Sequence, residues 1–250
     1  MAAQDGEMSF WDHLDVLRGT LFRSILAIVL VSVVFLAMPE RLFKAVLWPT
    51  TPDFILYKWL GLDFGMDLIN IEVSAQFFAH LKMSVLMGVV IAFPYIIYEI
   101  WKFVAPALYD KERRAVRKGF GMSSFLFYLG VAVGYFIVLP VCLMFFMNYT
   151  VSDAVRNTIS LNSYISLFTS LVFLIGLLFE FPTVVLVLSH LGLLTRKQLK
   201  EFRKAAFVVI LILAALITPS DPFSMFVLSI PLYGLYEFSI LVCKRDDLSE

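Results

Sequence analysis

Long stretches with almost no charge recur along this 250-residue chain, at 20–38, 74–104, 119–148, 162–190, 205–217 and 222–243. At a rise of about 1.5 Å per residue, roughly twenty such residues form a helix that crosses a hydrocarbon core about 30 Å thick. Lipid offers the backbone no hydrogen-bond partners, so each stretch must satisfy its own N–H and C=O groups as a helix. The runs are too uniformly apolar for the alternating strands of a barrel. The sequence therefore predicts an all-α polytopic membrane protein, six transmembrane helices in a single domain over residues 1–250. Only 16% of residues are charged, against about 25% in soluble domains, so polar surface is too scarce to dissolve a globule.

The distribution of Lys and Arg sets the expected orientation, because cytoplasmic loops are enriched in them. The amino tail, the connections 110–118 and 191–204 and the carboxyl tail carry thirteen basic residues. The opposite side carries four, with Arg23, Lys82 and Lys102 inside spans and uncounted. Both termini are thus expected in the cytoplasm. Net charge is zero, which gives no reason to expect nucleic acid; the basic loops suit anionic lipid. The first apolar run is long, starts about twenty residues in and lacks a small-residue cleavage site, so it is expected to remain as a helix. Cys142 and Cys243 fall at opposite membrane faces, which argues against a disulfide or a metal pair.

In the long outer connection 39–73, Leu42, Phe43, Val46 and Leu47 share one helical face ahead of Trp48 and Pro49. This predicts a short amphipathic helix capping the outer side of the bundle. Pro94, Pro140, Pro182 and Pro231 lie deep enough in spans to kink them and curve the bundle. The fifth stretch holds thirteen apolar residues, which reach only about 20 Å as a helix. The tight turn of Thr218, Pro219, Ser220 and Asp221 follows, so two short carboxyl-terminal helices that thin the membrane locally are expected. Asp221 before Pro222 reads as a helix N-cap.

Glu180, near the middle of the fourth stretch, is the most informative residue. An intramembrane carboxylate is costly and faces a bundle interior or a wet cavity; the structural alternative is a protonated Glu bonded to a neighbouring helix. Glu99 and Glu237 lie nearer cytoplasmic ends, where they are expected to snorkel. Two acidic sites on the cytoplasmic side stand out: Asp110 and Glu112 in the tip 105–114, and Asp12 and Asp15 in the amino tail, which share a helical face. Together they suit a positively charged peptide without establishing one. His13, His80 and His190 lie on separate segments with no metal-ligand spacing. No catalytic motif or phosphate-binding glycine loop occurs, so neither an enzyme nor a cofactor is expected.

The segments carry a family pattern in order: His13 and Leu14 with Leu17 and Arg18; Pro94 through Tyr98, Trp101 and Phe103; Pro106, Ala107, Leu108 and Tyr109 with Glu112, Arg113 and Arg114; Phe179 and Glu180 with Pro182; Thr218 and Pro219 with Asp221; Ile230, Pro231 and Leu232 with Tyr236 and Glu237. Over nearly its whole length the chain resembles TatC, the receptor component of the twin-arginine protein translocase. The resemblance implies a receptor in the bacterial cytoplasmic (inner) membrane that binds signal peptides with consecutive arginines while folded cargo crosses, driven by the proton-motive force. It implies single-span TatA-like and TatB-like partners and self-association.

By the same resemblance, Glu112 is the main arginine contact with Phe103 beside it, Asp15 and Arg18 belong to the same site, and Glu180 is the functional intramembrane carboxylate. Pro49, Pro94 and Pro106 are structural, and Thr218, Asp221 and Met225 mark the contact with partner helices. The chain departs from the pattern twice. Val16 stands where the family has an acid, leaving Asp15 about 100° away around a helix, and Met225 stands where the family often has Gln. Two other classes remain: a proton-coupled transporter of a small solute using Glu180, which lacks the expected inverted repeat, and a purely structural scaffold, which leaves Glu112 and Glu180 without purpose.

Overall fold

The computed structural model describes residues 10–105, 110–152, 154, 157–218 and 221–243, without the side chains of 10, 12, 13 and 110–118. The predicted all-α bundle is what forms. Helix α1 (Phe10–Leu36) runs beside α4 (Ala75–Val104), with α2 (Pro39–Val46) and α3 (Ile55–Leu60) between them in sequence. Gly88 of α4 is what lets these two long helices approach: a Cβ there would run into the Ser32 side chain and come 2.9 Å from the Ile28 carbonyl oxygen. Elsewhere α1 turns Phe22, Leu30 and Val33 outward, an apolar surface suited to lipid.

The amphipathic helix predicted after the first span is α2. It begins on Pro39, buries Leu42 and Val46 against the bundle and passes into a 3₁₀ turn at Trp48–Thr50. The last carbonyls of a helix have no partner within it, and here tyrosines from the bundle serve them. Tyr135 hydroxyl donates to Ala45 O at 2.6 Å and Tyr164 hydroxyl to Val46 O at 2.5 Å. Tyr57, fully buried in α3, donates to Pro49 O at 2.8 Å, and burial pushes its phenol above the ordinary tyrosine range. Tyr164→Phe would strand the buried Val46 carbonyl, and is expected to cost about 1–3 kcal/mol of stability, read as a lower midpoint in thermal denaturation in detergent.

The third span is α5 (Asp110–Val133), a π-helical turn at Gly134–Val138 and α6 (Leu139–Asn148). The fourth is α7 (Leu161–Phe168), a second π turn at Thr169–Phe173, α8 (Leu174–Leu178) and α9 (Phe181–His190). The two π turns face each other, and a Cβ on Gly134 would come 2.9 Å from Leu171 O. The two-residue strands β1 (Leu68–Ile69) and β2 (Ile159–Ser160) pair in parallel and link the connection before α4 to the connection before α7.

A capping box of Thr195 and Gln198 opens α10 (Arg196–Glu201), which leads to α11 (Arg203–Ile217) and α12 (Pro222–Val242). Five helical stretches among the described residues are long and apolar enough to cross a membrane. The fifth predicted stretch, α11, has 15 residues, about 22 Å. The expectation of two short carboxyl-terminal helices is corrected for the second: α12 has 21 residues, because Asp221 caps it at its first turn and it continues through Pro231.

Candidate functional site

At the end of the bundle where α1 begins and α4 stops, Asp15 and Arg18 are exposed on α1. Phe103 is half-buried in the last turn of α4, and Trp101 packs on Phe120 of α5 with ring centroids 5.0 Å apart. Glu112 stands in the first turn of α5, its side chain outside the described set, and Pro106 lies outside the described residues. The close α1–α4 packing brings the start of α1 and the last turn of α4 to one end of the molecule.

Glu99 does not snorkel. Its side chain is 4% exposed, Arg23 Nε donates to its Oε2 at 2.7 Å, and Arg23 Nη2 lies 2.7 Å from the same oxygen as an ion pair. The physical reason is that an arginine inside the first span also needs a counter-charge, and pairing relieves both groups. Sequence reading missed this pair although its signal was present: Arg23 is a lone cation within an apolar run. Glu237 pairs with Arg203 at 2.7 Å, tying α11 to α12, and Tyr236 hydroxyl donates to Leu199 O at 2.6 Å beside it.

Glu180 sits where the fourth span breaks. Pro182 in the first turn of α9 has no N–H to continue the ladder, so α8 ends and α9 restarts around Phe179 and Glu180. Ser123 of α5 donates a short hydrogen bond to Glu180 Oε2. Glu180 Oε1 and the Thr183 hydroxyl are buried without a hydrogen-bond partner among the described residues. Both border a groove of about 470 Å³ between α4, α5 and α9, lined by Phe93, Ile97, Phe120, Val184 and Leu188. Such a carboxyl can take up a proton or accept a donor brought into the groove. Ser123 was not legible as a site residue, because hydroxyls are common in spans and only the packing of α5 on α9 aims it at Glu180; Thr183 stands beside Glu180 by helical spacing alone.

At the α11–α12 turn, Thr218 is buried and its hydroxyl donates to Ala214 O at 2.9 Å. Asp221 Oδ1 accepts from Ser224 N at 2.6 Å, the predicted N-cap. Met225 is half-buried, while Leu216, Phe226 and Ile230 are exposed.

Residues 12–231 match the profile of the family described as Sec-independent protein translocase protein (TatC). The chain belongs to the TatC family. The Sec-independent protein translocase protein TatC of Blattabacterium sp. subsp. Periplaneta americana is 36% identical, over 97% of each chain. The TatC of Escherichia coli strain K12 is 31% identical, over 93% of this chain and 86% of its own. A crystal structure described as the twin arginine translocase receptor TatC in DDM superposes with a TM-score of 0.78 at 34% identity, over 93% of this chain and 99% of its own. TatC membership makes this multi-pass membrane protein a component of a protein translocase that works with other Tat subunits, in a transport family and not an enzyme family.

Proposed function

We propose that this TatC family member is a signal-peptide receptor and the core of a translocase that moves folded proteins across the bacterial inner membrane, driven by the proton-motive force. Six crossings leave both termini in the cytoplasm, consistent with the basic-residue asymmetry. A signal peptide's paired arginines reach the Glu112 carboxylate beside Phe103, with Asp15 and Arg18 at the rim. A guanidinium forks onto a carboxylate with two parallel hydrogen bonds, and lysine cannot reproduce that geometry. The single-span TatA-like and TatB-like partners meet α11 and α12 near Thr218, Asp221 and Met225, where the 15-residue α11 thins the bilayer. Copies of the chain associate within the complex.

The observation that carries this reading is the full-length likeness, at 34% identity, to a structure described as a twin arginine translocase receptor. The presence of Asp15, Arg18 and Phe103 at one end of the bundle, the basic end by the count of Lys and Arg, supports it. A transporter role for Glu180 gains nothing from the structure, since the groove beside it is lined almost entirely by apolar side chains. The test is photo-crosslinking of a signal peptide to the chain assembled with its partner subunits. A twin-arginine peptide is expected to crosslink at least about tenfold more than its twin-lysine form. Equal labelling of the two would refute arginine recognition.

A further inference from the structure

Pro94 interrupts α4 and leaves Val90 O without the N–H that an unbroken helix supplies four residues later. Tyr128 of α5 fills the vacancy, its hydroxyl donating to Val90 O at 3.1 Å. One turn away, Phe93 and Phe127 stack with centroids 3.6 Å apart. The bend in α4 is therefore fixed from the α5 side.

Beyond the bend, the tip of α4 carries Glu99 and, one turn later on the same face, Phe103. Glu99 is held by Arg23 of α1, through a hydrogen bond from Nε and an ion pair with Nη2 on one carboxylate oxygen. Gly19 lies under the guanidinium, where a Cβ would come 3.2 Å from Arg23 Nη1. We propose that the Arg23–Glu99 ion pair is a positioning element for signal-peptide recognition: it fastens the last turns of α4 to the amino end of α1 and so sets Phe103 relative to Asp15 and Arg18. The inference rests on the receptor reading above. Two arguments favour positioning over simple stability. The pair lies between the bend and the recognition residues, on the face along which α1 packs on α4. With the Arg23 side chain 42% exposed and Glu99 4%, the pair is also a weak source of stability, while it joins the two helices at one fixed point.

The test uses the full chain assembled with its partner subunits in membranes, with the buried Cys142 and Cys243 replaced by alanine. Spin labels at the exposed Leu14 and Lys102 report the separation of α1 from the α4 tip, and photo-crosslinking reports twin-arginine peptide binding. Arg23→Glu and Glu99→Arg are each expected to broaden the distance distribution and to lower binding about tenfold. Combining them restores opposite charges, and is expected to narrow the distribution and return binding to within about threefold of the parent. Should the single reversals fail to accumulate, Glu99→Gln serves in their place, with broadening and loss of binding again expected. An unchanged separation in the single variants, or a restored separation without restored binding, overturns the proposal. If the parent chain binds no twin-arginine peptide, the receptor reading fails instead, and the separation alone then decides whether the pair fastens the tip.

Discussion

Glu112→Lys will lower crosslinking of a twin-arginine signal peptide by about a hundredfold, and Glu112→Ala by about tenfold. The alanine variant loses charge-assisted bonds worth about 1.5–3 kcal/mol, and the lysine variant adds repulsion between like charges. Glu112 lies in the first turn of α5, outside every apolar stretch, so neither change disturbs insertion, and the variants should accumulate in membranes at the parent level. A twin-lysine peptide, already weak, should lose little further. Unchanged crosslinking in both variants would place the arginine site elsewhere.

Glu180→Ala will reduce export of a folded, cofactor-loaded reporter by tenfold or more while changing peptide binding at the basic end by less than about twofold. The carboxylate stands at the break of the fourth span, takes the Ser123 hydroxyl on Oε2 and borders the groove. Alanine removes the acceptor and leaves that hydroxyl unpaired. Glu180→Gln separates the two roles: its amide oxygen still accepts from Ser123 but the side chain no longer titrates. A glutamine variant that exports like the parent would reduce the role to hydrogen bonding. Normal export by the alanine variant would remove Glu180 from the transport step altogether.

The amphipathic cap, the N-cap at Asp221 and the shortness of the fifth span were legible because each depends on neighbours in sequence: a face of four apolar residues, an Asp–Pro pair, a count of apolar positions. The π turns at Gly134–Val138 and Thr169–Phe173 were not. Their shifted hydrogen bonds follow from how two helices press together at Gly134, which no local propensity encodes. The same holds for the site. Glu180 was visible as a charge where none should be, but its Ser123 partner came only from packing. Glu99 was misread as a snorkelling acid because its counter-ion lies 76 positions away in sequence.

What the sequence by itself determined is the class of molecule, its apolar segments and, through a pattern spread over nearly the whole chain, its family. These follow from hydrophobicity, charge placement and local caps, all of which act within a few residues. Only the tertiary structure decided which charges meet. Inside an apolar bundle an ionised or hydrogen-bonding group must find a partner across helices, and which partner it finds is set by where glycines such as Gly88 let backbones approach and where prolines such as Pro94 and Pro182 turn them.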